Sequence, residues 1–262
     1  MKISTEIESV VTRLGDAKGL QLLAKAGFDG WDFTMNAMGE GLHPLAGSGY
    51  IAYVRSLRQT GEDLGMVCNQ SHAPFPSDRP ELLKRAIECT AEAGGTICVI
   101  HPLQGVSMEE TTEFYHSLLP FAKACGVKIA AENILSPDAC ATPEQYLLQL
   151  ADVSDPALVA CLDIGHAEIA GSAVEMIHAL GRHLQTLHIH DNDKRRDLHQ
   201  LPFTGAIDFA PIMKALKDTG YDGWLTLEAD GYLNSLPDTS VEASVPHLFA
   251  AARQLRKLYD EA

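Results

Sequence analysis

Five apolar runs of this chain end abruptly in a residue able to bind a metal or move a proton: Ile100-His101, Ala131-Glu132, Leu162-Asp163, Ile189-His190 and Leu227-Glu228. An unpaired charge is costly inside an apolar run. Residues of this kind at its end must face water, a metal or a substrate. Glu132, Asp163, His190 and Glu228 together are three carboxylates and one imidazole, a hard oxygen-and-nitrogen set that suits Mn²⁺, Mg²⁺, Co²⁺, Fe²⁺ or Zn²⁺. Left alone, clustered anions repel one another and some take up protons. A divalent cation removes most of that cost and can polarise a carbonyl together with its neighbouring hydroxyl. A carboxylate can then deprotonate the carbon beside the carbonyl, giving an ene-diolate. Glu132 and Glu228 come from different runs, so they could flank the substrate and relay the proton.

Eight strand-like runs carry these residues. Strands are predicted over 2–7, 28–33, 65–71, 96–101, 127–132, 158–163, 185–190 and 223–228. Helical patterns fall between them, over 16–26, 50–60, 81–93, 108–125, 143–151, 172–180, 209–219 and 241–259. Gly27, Gly61, Gly94 and Gly126 follow four of these helices, where glycine is the favoured stop. Strands alternating with helices imply parallel βαβ units. Eight such units in one chain point to a single domain over 1–262, a closed (β/α)8 TIM barrel. A doubly wound open sheet is the alternative, but no G-x-G-x-x-G follows the first strand.

In a parallel barrel every strand C-terminus opens on the same face. His72 follows the third strand, His101 ends the fourth, Glu132 the fifth and Asp163 the sixth, with His166 three residues on. His190 ends the seventh, Asp197 and His199 lie in its loop, and Glu228 ends the eighth. Singly, each has a bland reading as a hydrogen-bonded histidine, a helix cap or a solvated charge. Nine ionisable groups on one rim make a site if the barrel closes. His188 shares a face with His190, because strand side chains alternate. It is expected deeper, supporting a ligand or carboxylate by a hydrogen bond. Trp31 and Asp32 either line the pocket or pack, and Glu6 faces the pocket or solvent. Lys194-Arg195-Arg196 reads as a solvated loop or as a grip for an anionic substrate.

The chain's 262 residues are 46% hydrophobic, with a formal charge of −15. That charge argues against nucleic acid as a partner, since a phosphate backbone calls for a basic face. Six cysteines without a C-x-x-C pair read as buried reduced thiols, which points to the cytoplasm. The first residues form no apolar leader, and no apolar run approaches the roughly 20 residues of a spanning helix, so no membrane is expected. The acidic balance and the exposed helix faces permit a homo-oligomer.

Three segments are similar to the sugar phosphate isomerase/epimerase family of the xylose-isomerase-like TIM-barrel superfamily. They are Leu162-Asp163-Ile164-Gly165-His166, His188-Ile189-His190-Asp191-Asn192-Asp193 and Gly220-Tyr221-Asp222-Gly223-Trp224-Leu225-Thr226-Leu227-Glu228. The resemblance covers nearly the whole chain and is most specific from Glu132 to Glu228. Ketose 3-epimerases of this superfamily hold one divalent metal with residues matching Glu132, Asp163, His190 and Glu228. Their acid/base pair matches Glu132 and Glu228, and their substrate contacts match His166 and Arg196. Apurinic endonucleases of the same superfamily hold three zinc ions. Their ligands match His72, His101, Glu132, Asp163, His166, His190, Asp197, His199 and Glu228. The resemblance therefore implies a small sugar or sugar phosphate as substrate and one to three metal ions. Two other activities stay open, a keto-polyol dehydratase or lyase and a multi-zinc hydrolase. The acidic charge and the lack of a basic, aromatic insert speak against the endonuclease. Only one glycine, Gly205, stands where both branches carry a glycine-rich stretch.

Overall fold

The computed structural model describes residues 1–39, 41–136 and 140–262. Eight parallel strands build the barrel: β1 (Ile3–Glu6), β2 (Gly30–Thr34), β3 (Val67–His72), β4 (Ile97–Ile100), β5 (Lys128–Glu132), β6 (Leu158–Asp163), β7 (Leu184–His188) and β8 (Leu225–Leu227). Their order in the sheet is β7-β6-β5-β4-β3-β2-β1-β8. The ring closes through Ile189, whose N–H donates to Thr226 O at 2.9 Å and whose carbonyl accepts from Glu228 N at 3.0 Å.

The helices are α1 (Glu8–Leu14), α2 (Asp16–Ala26), α3 (Tyr50–Asp63), α4 (Pro80–Glu92), α5 (Met108–Ala124), α6 (Pro143–Val153), α7 (Ile164–Ala170), α8 (Ala173–Leu180), α9 (Phe209–Asp218), α10 (Asp230–Asn234) and α11 (Asp238–Glu261). Each of the eight expected strands and eight expected helices is present. α1, α7 and α10 are additions, short helices that follow strand ends and carry no long periodic pattern. Strand seven was expected over 185–190 but stops at His188. There the chain bends so that Ile189 reaches β8, while Asp191 pairs antiparallel with Gln200 at 2.8 and 2.9 Å and opens the next loop.

Two apolar clusters hold the fold. The large one lies between strands and helices. The small one, Val99, Ala130, Val159 and Cys161 with Ile97 against it, lies inside the ring on the β4–β6 side. Two buried helix tyrosines pin the strand ends that carry the site. Tyr115 Oη of α5 donates to Ile100 O at 3.0 Å, and Tyr146 Oη of α6 bonds Ala131 O and, at 2.9 Å, Cys161 O. All six cysteines are free. Among the described residues no helix is long and apolar enough to cross a membrane.

Candidate active site

The rim formed by the strand C-termini surrounds a cavity of about 710 Å³. His72, His101, Glu132, His166, Asp197, His199 and Glu228 line it. Asp163 and His190 lie just beneath, fully buried. Asp197 and His199 stand in the loop after β7. The other expected rim groups sit at the ends of consecutive strands β3 to β8 or within a turn of them. Their alternation with outward apolar residues aims them inward.

Glu132 stands at the centre. Its Oε2 lies 3.1 Å from His101 Nε2 and 3.3 Å from His72 Nε2, and those two rings meet at 3.0 Å. Its Oε1 faces His188 Nδ1 at 3.0 Å. Asp163 ends β6 and caps α7: its Oδ1 accepts from His166 N at 2.6 Å and faces His190 Nε2 at 3.1 Å. Asn133 clamps Asp163 by its backbone, accepting from Asp163 N at 2.7 Å and donating to Asp163 O at 2.9 Å. His166 places Nδ1 on Asn133 O at 2.9 Å, which leaves Nε2 on Asp197 Oδ2 at 3.0 Å. His199 stacks on His190, with ring centroids 3.9 Å apart. Its ring nitrogens face Asp197 at 3.1 Å and Asp230 at 2.8 Å.

The loop that carries Asp197 and His199 is fixed by Asp191. Its carboxylate accepts from the backbone N–H of Asn192, Gly205 and Ile207 at 2.8, 2.9 and 3.1 Å. Arg196, expected to grip substrate, is turned away in this structure. It is largely exposed, its guanidinium pairs with Asp193 at 2.8 Å, and it does not line the cavity. Lys194 pairs with Glu168 at 2.7 Å. His188 takes the deep position expected of it. Glu6 faces neither the cavity nor solvent, being 2% exposed with Oε2 accepting from Ser9 N at 3.1 Å. Trp31 packs edge-on against Phe33 in the outer core. The cavity is completed by Asn36, Phe75, Gln104, Ile134, Leu135, Ser136 and Asp230. All are loop or loop-proximal residues with no periodic signal. Most follow a marked strand end by two to four places, as Ile134 follows Glu132 and Asp230 follows Glu228, but their own types carry no signal.

Electrostatics sort the acids. Burial raises the carboxyl of Glu132, but His188 and His101 overcome it and hold Glu132 well below the usual range. Burial likewise opposes the charge on Asp163, yet His166 and His190 bring it down to about 2. Glu228 goes the other way: burial raises it, and the neighbouring Glu132 adds to that against the pull of His188 and His199. Burial works against a charged His166, but Asp163 and Asp197 lift it to about 10. His101 is lowered, chiefly by burial.

The donors fall into overlapping groups whose ligand atoms lie within 4.8 Å of one another. One is His72, His101 and Glu132, another His166, His190, Asp197 and His199, and a third Glu132, Asp163, Glu228 and His188. His190 thus clusters with the loop residues while touching Asp163, and His188 is the imidazole nearest both glutamates. The residues fit a divalent cation. Asp163 Oδ2 and His101 Nδ1 are buried without a hydrogen-bond partner, and a buried carboxylate oxygen left unpaired is costly unless something charged meets it.

Comparison with known proteins places this architecture. The family model for xylose isomerase-like TIM barrels matches residues 20–251, and the chain belongs to that family. An uncharacterized protein of Methanocaldococcus jannaschii, MJ1311, is 29% identical over 237 residues, covering 80% of this chain and 77% of its own length. Inosose dehydratase of Erwinia tasmaniensis is 29% identical over 143 residues, so the match spans about half of each protein (46% and 47%). A D-tagatose 3-epimerase-like protein superposes over 100% of this chain and 99% of its own, with a TM-score of 0.76 at 24% identity. D-psicose 3-epimerase of Clostridium cellulolyticum superposes over 99% of both chains, with a TM-score of 0.74 at 18% identity. At these identities the structural likeness is one of fold.

Proposed function

We propose that the protein is a divalent-metal-dependent sugar isomerase or epimerase that moves a proton on and off the carbon beside a carbonyl. The observation that carries this reading is the meeting of two carboxyls from opposite parts of the ring on one cavity. Glu132 ends β5, Glu228 follows β8, and both reach the same nitrogen of His188, at 3.0 and 3.4 Å. Their environments also diverge: the neighbouring histidines hold Glu132 ionised, while burial and Glu132 push Glu228 towards its protonated form, so the two carboxyls start from different protonation states. Glu132, Asp163, His190 and Glu228 would hold one ion, and His72, His101, His166, Asp197 and His199 offer donors for up to two more. When bound, a divalent cation supplies Lewis-acid polarisation of a carbonyl and its adjacent hydroxyl. Glu132 takes the proton from the neighbouring carbon, leaving an ene-diolate, and Glu228 returns one to the opposite face. With a single ion bound, His166, Asp197 and His199 are left to hydrogen-bond the substrate's hydroxyls. Arg196 joins them by releasing Asp193, whose pairing with it is solvent-exposed and cheap to break. The substrate is a small sugar or sugar phosphate, and the cytoplasm is the expected compartment.

A second reading is favoured by the inosose dehydratase relatives. Dehydration of a keto-polyol begins with the same deprotonation and ends with loss of a hydroxyl from the next carbon. Incubation with Mn²⁺ in D₂O, using D-tagatose, D-psicose and an inosose in turn, separates the two. Deuterium entering a recovered ketose supports the isomerase. Loss of water from the inosose without exchange into any ketose supports the dehydratase. Glu228→Gln should keep the fold and lose the exchange, and undiminished exchange in that variant removes Glu228 from its assigned role.

A further inference from the structure

We propose that Asp32 and His188 form a buried positioning pair that sets how Glu132 and Glu228 face the cavity, and through them how tightly a divalent cation is held. The inference rests on the metal-dependent reading above. β1 and β8 separate β2 from β7 in the ring, so contact between Asp32 and His188 crosses the barrel interior. Asp32 Oδ2 lies 3.2 Å from His188 Nε2. The other ring nitrogen, Nδ1, lies 3.0 Å from Glu132 Oε1 and 3.4 Å from Glu228 Oε2. One imidazole edge therefore serves both glutamates, and the opposite edge is held by Asp32.

Asp32 is locked in turn. Gln70 Nε2 donates to its Oδ2 at 2.9 Å. The amide of Gln70 cannot turn over, because its Oε1 accepts from Thr226 Oγ1 at 3.1 Å, from Asn69 Nδ2 at 3.1 Å and from the Thr186 hydroxyl. Ser4 Oγ extends the chain to Thr226 at 2.9 Å. Barrel interiors are normally filled by layers of branched apolar side chains, as on the β4–β6 side here. A buried polar network in their place is costly where members go unsatisfied, and here Asp32 Oδ1 and Asn69 Oδ1 lack a hydrogen-bond partner among the described residues. None of Asp32, Gln70, Thr186, His188 or Thr226 lines the cavity, so the network reaches the site through what His188 touches: Glu132 and Glu228 by its Nδ1, and the face of His72. Groups that orient a metal-binding carboxylate from behind govern its affinity.

The test is calorimetric titration of the full chain with Mn²⁺ in wild type, Asp32→Asn, His188→Gln and the double variant. Asp32→Asn is expected to weaken Mn²⁺ binding about 10- to 100-fold with an unchanged melting temperature of the metal-free protein. The double variant should bind no worse than His188→Gln alone, because Asp32 acts through the ring. Gln70→Met, which removes the donor to Asp32 together with the acceptor shared by Thr226, Asn69 and Thr186, should show a smaller loss of the same sign and serves if Asp32→Asn does not fold. Unchanged affinity in both variants, additive losses in the double variant, or losses that track a fall in metal-free stability would each overturn the proposal. A wild-type protein that takes up no Mn²⁺ fails at the metal-dependent reading itself, and the proposal falls with it.

Discussion

His72, His101 and Glu132 stand on or just after three neighbouring strands, whereas His166, His190, Asp197 and His199 are spread over the first turn of α7, the bend after β7 and a loop. The first group is placed by the barrel ladder and by Tyr115 and Tyr146 behind it. The second depends on loop devices: the three N–H bonds to Asp191, and left-handed backbone at Lys194 (φ 60°), His199 (φ 43°) and Phe203 (φ 73°). Such conformations are disfavoured for residues with a Cβ and persist only where surrounding contacts impose them. A half held by the ladder and a half held by loop contacts therefore share one cavity, and they meet where Glu132 comes within 4.8 Å of Asp163 and Glu228. Loops on a fixed scaffold are where related enzymes differ, so the strand-held half reads as the common chemistry and the loop-held half as the variable part.

The largest expected effect removes what the two halves share. Glu132 presents Oε2 to His72 and His101 and Oε1 to the centre. Glu132→Gln should lower solvent-deuterium exchange into a ketose by about 10³-fold or more, the scale of a lost general base, and should weaken metal binding in both halves. Calorimetry with Mn²⁺ and exchange in D₂O measure these together. Loss in one half alone would mean that Glu132 does not join them.

The same division governs how much of the site was legible in the sequence. Strand-borne candidates announce themselves, because a polar residue that closes an apolar run must meet water, a metal or a substrate. Glu132, Asp163 and Glu228 could each be named from that pattern. Spacing of two also put His188 on the face of His190, but no pattern told that His188 would sit nearer the glutamates. That depends on the chain leaving the ladder after His188, which three-dimensional closure onto β8 decides. Arg196 illustrates the converse. The resemblance matched it to a substrate contact, but the sequence does not show which way its side chain turns, and here it pairs with Asp193, three residues away in a turn. Asn36, Phe75, Gln104 and Leu135 carry no periodicity at all, and only folding brings them to the cavity.

An intermediate effect should fall on the loop-held half alone. Asp197 faces His166, His190 and His199, so Asp197→Asn should weaken one ion by about 100-fold, within the range for lost metal-site contacts. Ions bound by the strand-held half should be untouched. Gly165→Ala offers an independent route, since a Cβ there would run into the His190 ring. Zn²⁺ stoichiometry by elemental analysis after gel filtration reads both. If the two variants lose all metal, or none, the halves are not separable.

The smallest effect asks whether the mouth of the cavity carries a stability cost outside the ligands. Glu6 ends β1, and burial, reinforced by the nearby charge of Asp230, raises its carboxyl from 4.5 to about 8. Asp230 is the residue that His199 leans on, so this acid senses the loop-held half. A raised acid is protonated when folded and ionised when unfolded between those two values. In that window the folded state binds more protons, and stability falls as pH rises. The contribution is fully present below about pH 4.5 and lost by about pH 8. Between pH 5 and pH 7 the decline amounts to about 2 kcal/mol for this one group. Glu6→Gln cannot ionise, so its thermal stability in metal-free buffer should lack that part of the slope and exceed wild type above pH 7, with little change in exchange activity. Asp230→Asn should narrow the pH window of that decline, by removing one of the charges that raises Glu6. Parallel pH–stability curves for wild type and Glu6→Gln would show that the acid is not buried in its protonated form.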